Sequence, residues 1–165
     1  MIKEIYLPLN DEKPVNLQVE DKIQIYGKIF TGRDAALPKL VRLIEKDVNP
    51  LDLRGSAFMH TAVSEAGISP TTSNKVEIEE SMPFLSKVGV KMHLGKGSLS
   101  LKTIEELNKY NSVFIVVPPA AALLSSKIIS KKVVAFAQEG MEAIYQLEVA
   151  GIPGVVSVAH GKSLN

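Results

Sequence analysis

The sequence predicts an α/β fold: one domain over residues 1–165, built from mixed sheets with a parallel sheet flanked by helices. Short apolar runs recur at residues 22–31, 90–94, 112–117 and 132–137, and stretches of helical spacing separate them, which favours parallel strands joined by right-handed crossovers. Hydrophobic residues make up 45% of the 165, enough to bury one sizeable core. No internal repeat, linker or low-complexity run divides the chain.

Residues 4–9 alternate weakly and predict a strand, with Pro8 at an edge or a strand end. A polar connection over residues 10–16 leads to a strand over residues 22–31, carrying Ile23, Ile25 and Ile29, in which Gly27 marks a bulge or bend. Ala36, Leu40, Leu43, Ile44 and Val48 then follow at helical spacing. Thr31 and Asp34 have the spacing of a capping box, but Pro38 would cost a helical bond if the helix began at Thr31, so a start near Asp34 is equally defensible. Either start puts Arg33 at the helix mouth. Asn49-Pro50 ends this helix, and residues 57–63 predict a short strand.

A second helix runs to about residue 88, interrupted by Pro83 and stopped by Gly89. The strand over residues 90–94 empties into Gly95-Lys-Gly97, and Ser98 or Ser100 caps a helix over residues 101–110. A buried strand over residues 112–117, a small-residue helix over 120–129 and another buried strand over 132–137 complete this half.

Composition excludes several classes. Nineteen basic and eighteen acidic residues are well mixed, leaving no polycationic face for nucleic acid and no block for an anionic membrane. The longest apolar runs, such as residues 113–124, are broken by Pro118 and Pro119 and fall short of the ~20 residues a membrane span needs. The N-terminus lacks a signal-peptide pattern, so a cytoplasmic location is expected. With no cysteine the chain has no disulfide, thiol nucleophile or cysteine-held iron–sulfur site of its own. Only Arg33, Arg42 and Arg54 offer a planar fork for a carboxylate, against sixteen lysines.

The segment Gly67-Ile-Ser-Pro-Thr-Thr-Ser-Asn-Lys75 is the hardest to explain by packing. Pro70 biases Ser69 toward an extended conformation, and Thr71, Thr72 or Ser73 can cap the helix that Glu77, Glu79 and Glu80 continue. Hydroxyls, free backbone N–H groups and Lys75 at one helix start make an anion seat; an ordinary capped helix is the plainer reading. His60, His93 and His160 lie on or near the expected strands without metal-type spacing and are read as structural.

Gly32-Arg-Asp-Ala-Ala36, Pro70-Thr-Thr-Ser73, Gly95-Lys-Gly97, Gly140-Met-Glu-Ala143 and Gly161-Lys-Ser-Leu164 occur in that order. Together they resemble the β subunit, or C-terminal domain, of the class I iron–sulfur hydro-lyases, class I fumarate hydratase and L(+)-tartrate dehydratase. The resemblance covers nearly the whole chain. It implies a swivelling β/β/α domain and a reversible addition of water across the double bond of a dicarboxylate such as fumarate. It also implies a separate cysteine-bearing α subunit holding a 4Fe-4S cluster, against which this chain would supply substrate-binding groups. Arg33 would pair with a substrate carboxylate, Thr71 would transfer a proton, and Thr72, Ser73, Lys75 and Lys96 would bind substrate. Asp34 would orient Arg33 or handle protons, and Glu142 would support the site.

Three positions depart from the family pattern: Lys75 in place of arginine, Leu37 in place of histidine and Ser69 in place of glycine. They bear on which diacid is bound more than on the fold. A non-catalytic anion-binding or interaction domain of the same fold is the alternative, as is a homo-oligomer of the isolated chain.

Overall fold

The computed structural model describes residues 1–10, 16–64, 67–68 and 75–164, the side chains of 75–78 excepted. Its elements are β1 (Ile2–Leu7), β2 (Lys22–Thr31), α1 (Leu37–Glu45), β3 (Ala57–Met59), β4 (Val63–Ser64), β5 (Gly67–Ile68) and α2 (Lys75–Lys87). There follow β6 (Met92–Gly95), α3 (Leu101–Lys109), β7 (Val113–Val116), α4 (Ala121–Ser125) and β8 (Ile128–Ala135). A 3-10 helix (Ala137–Glu142), β9 (Ile144–Ala159) and β10 (Lys162–Ser163) complete the order.

The expected parallel sheet is β2-β3-β6-β7, each strand parallel to its neighbour. What the sequence reading did not anticipate is closure. β9, sixteen residues long, runs antiparallel to both β7 and β2 and joins the two edges into a five-stranded barrel. Register shifts at Ile25/Tyr26 and at Phe114/Ile115 mark the bends that closure requires. Gly154 permits the crossing: a Cβ there would lie 2.4 Å from Ile115 Cγ2.

Alternation along the strands sorts the core. Ile23, Ile25, Ile29, Met59, Leu94, Ile115 and Val156 fill the barrel interior. Their neighbours Phe30 and Phe58 pack outward with Leu37, Leu40 and Leu85, beneath α1 and α2. Phe114 packs with Met82 of α2 and Ile104 and Leu107 of α3.

The structure corrects three elements. Residues 132–137 were expected as a buried strand; β8 is instead an exposed strand paired only with β9, with Ile129 62% and Val133 42% exposed. The helix expected over 120–129 stops at Ser125, because Ile128 already pairs with Val149. α1 starts at Leu37 rather than Thr31 or Asp34, and its N-cap, Ala36, makes no side-chain cap bond. Pro38 decides this start, being tolerated in the first turn where its missing N–H is not needed. Ser100 is confirmed as the cap of α3, accepting a bond from the Thr103 amide. Among the described residues no helix is long and apolar enough to cross a membrane.

Candidate functional site at the carboxyl edge of the parallel strands

Because β2, β3, β6 and β7 are parallel, their carboxyl ends share one edge, the edge at which open α/β sheets bind ligands. The register makes the alignment explicit: Thr31 pairs with Met59, Met59 with Leu94, and Leu94 with Ile115. One residue further along, the Gly32 amide donates to Met59 O at 3.1 Å, the His60 amide to Leu94 O at 2.9 Å, and the Val117 amide to Gly95 O at 3.0 Å. Arg33, Thr61 and Lys96 therefore leave three adjacent strand ends at nearly one level.

Arg33 is held from two directions. Its carbonyl accepts the amides of Ala36 and Leu37, fixing the turn into α1. Its Nη2 donates to Glu142 Oε2 at 3.0 Å, while Asp34 Oδ1 stands 3.9 Å from Nε. Glu142 belongs to the 3-10 helix, which is also tied to α1 by an ion pair between Glu139 and Lys39. Gly140 makes the bend between the two acids, with φ 61° and open space where a side chain would stand. The site thus brings together Arg33, Asp34 and Glu142.

Lys96 follows Gly95 at the end of β6, half-buried. The strand between it and Arg33 is β3, so two strand spacings, about 10 Å, separate their backbones. The glycines beside Lys96 differ in role: Gly97 takes φ 83°, whereas Gly95 gives way to the Phe114 ring, 3.4 Å from where its Cβ would be. Thr71, Thr72 and Ser73 lie outside the described residues, as do Ser69 and Pro70; Lys75 opens α2, its side chain undescribed. Glu79, expected to serve the dipole of its own helix, instead accepts from Ser100 N, Ser100 Oγ and Thr103 Oγ1 at 2.8–3.3 Å, and so fixes the start of α3. Leu37 is 1% exposed in the core beneath α1, so this departure from the family pattern serves packing.

Sequence reading missed the surroundings of His60. Its side chain lies on the same face of β3 as Phe58, toward the helices, and His60 Nε2 stands 3.2 Å from His93 Nδ1. His93 Nε2 stands 2.9 Å from Ser86 Oγ of α2. Burial pushes the His60 imidazole down to about 3, and burial together with His60 holds His93 well below the ordinary range, so both rings are neutral near pH 7. The available signal was two histidines in otherwise apolar strands, each requiring a buried partner. His160 is exposed at a turn with φ 53°.

Five buried side-chain polar atoms among the described residues have no hydrogen-bond partner: Thr31 Oγ1, Arg33 Nε, Glu142 Oε1, His60 Nδ1 and Ser56 Oγ. All but the last belong to the carboxyl edge or to the acid that holds Arg33. Buried polar groups are seldom left unpaired; here Arg33 Nε and Thr31 Oγ1 can donate to an oxygen, whereas Glu142 Oε1 is an acceptor.

Comparison with known proteins identifies the lineage of this edge. Residues 3–165 match the sequence model of the Fumarase C-terminus family. The chain belongs to that family. Relatives include the L(+)-tartrate dehydratase subunit beta of Escherichia coli (strain K12), 29% identical over 99% of this chain and 87% of the relative. The subunit of the same name in Shigella sonnei (strain Ss046) shows the same identity and coverage. A Geobacillus stearothermophilus protein provisionally named as a class I fumarate hydratase is 30% identical over 96% of this chain, which spans 32% of that protein. The two arms of the Arg33–Glu142 pair, 109 residues apart in sequence, both lie within the matched region.

Proposed function

We propose that this chain is the β subunit of a hydro-lyase that reversibly hydrates or dehydrates a dicarboxylate, fumarate to malate or tartrate to oxaloacetate, with a separate α subunit. The observation that carries the reading is Arg33: a guanidinium at the carboxyl edge, anchored through Nη2 by Glu142, with its buried Nε lacking a hydrogen-bond partner. One carboxylate of the substrate pairs with Arg33 and the other is met by Lys96, whose backbone stands about 10 Å away across β3. Glu142 holds the guanidinium plane, and Asp34 flanks its other side. The names of the tartrate dehydratase and fumarate hydratase relatives support the reaction class.

Thr71 is the proposed proton-transferring hydroxyl, with Thr72, Ser73 and Lys75 binding substrate beside it. A threonine hydroxyl is a weak base, so neighbouring cations or a partner-subunit acid must activate it. A 4Fe-4S cluster on the α subunit would supply an open iron for the departing hydroxyl. The present chain does not fit a role in holding it: there is no cysteine, and no three His, Asp or Glu side chains converge among the described residues. Its own tasks are to bind the carboxylates, hold them in register and move a proton. As part of this reading, the domain swivels against its partner to close the site.

The test is anaerobic assembly with a cysteine-bearing α subunit, followed by assay of fumarate, malate and tartrate interconversion. Turnover of one of these diacids is expected. A complete assembly with a full cluster and no turnover of any of them would leave a non-catalytic anion-binding domain as the better account.

A further inference from the structure

The chain from Ser86 through His93 to His60 can run in either of two directions, set by the histidine tautomers. Ser86 Oγ lies 2.9 Å from His93 Nε2 and carries a proton to give. When Ser86 donates, His93 must hold its own proton on Nδ1 and donate across 3.2 Å to His60 Nε2. His60, neutral and accepting at Nε2, then keeps its proton on Nδ1. In the opposite arrangement His60 donates to His93, His93 donates to Ser86 Oγ, and His60 Nδ1 is left a bare acceptor. The arrangement in which Ser86 donates leaves one group unsatisfied, the buried Nδ1–H of His60.

That group stands where a ligand is already expected. β3 lies between β2 and β6, so the strand end carrying His60 is flanked by the strand ends carrying Arg33 and Lys96. The amides of Gly32 and His60 donate to the adjacent carbonyls of Met59 and Leu94, which locks the three ends together. Thr31 Oγ1 and Arg33 Nε, on the neighbouring strand end, are buried and lack a hydrogen-bond partner, like His60 Nδ1. Thr31 pairs with Met59 and so faces the barrel interior, and Glu142 Oε1 is an acceptor; Arg33 Nε, and His60 Nδ1 in the arrangement above, are the N–H donors suited to a carboxylate oxygen.

We propose that His60 is a substrate-binding residue whose Nδ1–H, oriented by Ser86 and His93, donates to a carboxylate oxygen of the diacid held between Arg33 and Lys96. This rests on the hydro-lyase reading and adds a contact to it. A neutral N–H at this point contributes direction without charge: it fixes which carboxylate oxygen faces β3 and leaves the charge pairing to Arg33 and Lys96. Ser86 and His93 act through His60, as positioning residues.

Two substitutions separate this role from a structural one. His60→Asn keeps an amide nitrogen near the Nδ1 position and loses the link to His93; His60→Gln keeps a polar group near Nε2 and loses Nδ1. In the assembly with the α subunit, His60→Gln is expected to raise KM for L-malate or tartrate about tenfold with kcat little changed, as loss of a hydrogen bond to a charged group does. His60→Asn is expected to restore most of that loss. A structural role predicts the reverse order, with His60→Gln the milder change. A second measurement needs no variant: in ¹⁵N-labelled full-length chain, His60 is expected to carry its proton on Nδ1, and L-malate in the assembly is expected to shift that signal. A proton on Nε2, equal KM for both variants and the unaltered protein, or an unmoved signal overturns the proposal. If the unaltered assembly neither binds nor turns over any of these diacids, the hydro-lyase reading falls and this inference with it; if it turns them over while His60→Gln changes nothing, only the inference falls.

Discussion

The two ends of the same parallel strands are built on opposite principles. At the amino end the chain is stitched by paired groups: Leu9 N to Gly55 O at 2.8 Å, Gly55 N to Gly89 O at 2.9 Å, Lys91 N to Ser56 O at 2.8 Å and Ser112 Oγ to Val90 O at 2.7 Å. At the carboxyl end Thr31, Arg33 and His60 each keep a buried side-chain atom without a hydrogen-bond partner, against Ser56 Oγ at the amino end. Unpaired buried groups cost about 1–3 kcal/mol each, so an end that carries several is kept for something other than stability. One end holds the barrel together, and the other carries the proposed site.

The sharpest way to break this division is at Gly55. It has φ 72°, and a Cβ there would sit 1.9 Å from Leu9 O, so Gly55→Ala strains the backbone and separates two segments of the amino end. A loss on the order of 3 kcal/mol or more in urea unfolding is expected, with turnover per folded molecule unchanged. Arg33→Ala tests the other end. Turnover in the assembly is expected to fall about 100-fold, the scale of a lost charge-assisted contact, while the melting temperature changes little because the pair with Glu142 is partly exposed. A variant at one end that produced the other end's phenotype would abolish the distinction.

How far the sequence revealed these two ends depended on how local the causes were. β2 was legible to the residue, because Ile23, Ile25 and Ile29 alternate within it, and Ser100 was legible as a cap because its partner Thr103 is three residues away. β9 was not assigned at all: glycine and proline are poor strand formers, and Gly151, Pro153 and Gly154 suit a long strand bending around a closing barrel, which is a property of the whole sheet. β8 was misread as buried because β-branched residues mark strands without saying whether a second neighbour covers them. Arg33 and Glu142 were each singled out from a sequence motif, but their 3.0 Å contact was not legible, since it spans 109 residues. The contact of His60 with His93 of β6, which in turn meets Ser86 of α2, was not legible, because nothing near it in sequence announces it.

A pH series probes the buried histidines between the ends. Their folded-state values lie below the ordinary 6.5, His60 at about 3, so the unfolded chain binds protons that the folded chain refuses. Stability is then fully present above pH 6.5 and falls as pH drops, for His60 until about pH 3, by about 1.4 kcal/mol per pH unit for each ring. Urea unfolding at pH 7, 6 and 5 should show this slope. His60→Phe should reduce it by one ring's share, and a slope that is the same in both proteins would mean that His60 is charged or solvated in the folded state.

The smallest effect is expected at Glu79, a carboxyl-edge group that is paired in the manner of the amino end. Its carboxylate accepts from Ser100 N, Ser100 Oγ and Thr103 Oγ1, holding the α3 cap four residues beyond Lys96. If pairing rather than location decides what a group does, Glu79→Gln should cost about 1 kcal/mol in unfolding, as a weakened cap does, and leave KM unchanged. If location decides, the loss should appear in KM through displacement of Lys96, with little change in stability. Unfolding midpoint and KM measured on this one variant choose between them, and the geometry favours the first, because Gly97 at φ 83° already turns the chain between Lys96 and the cap.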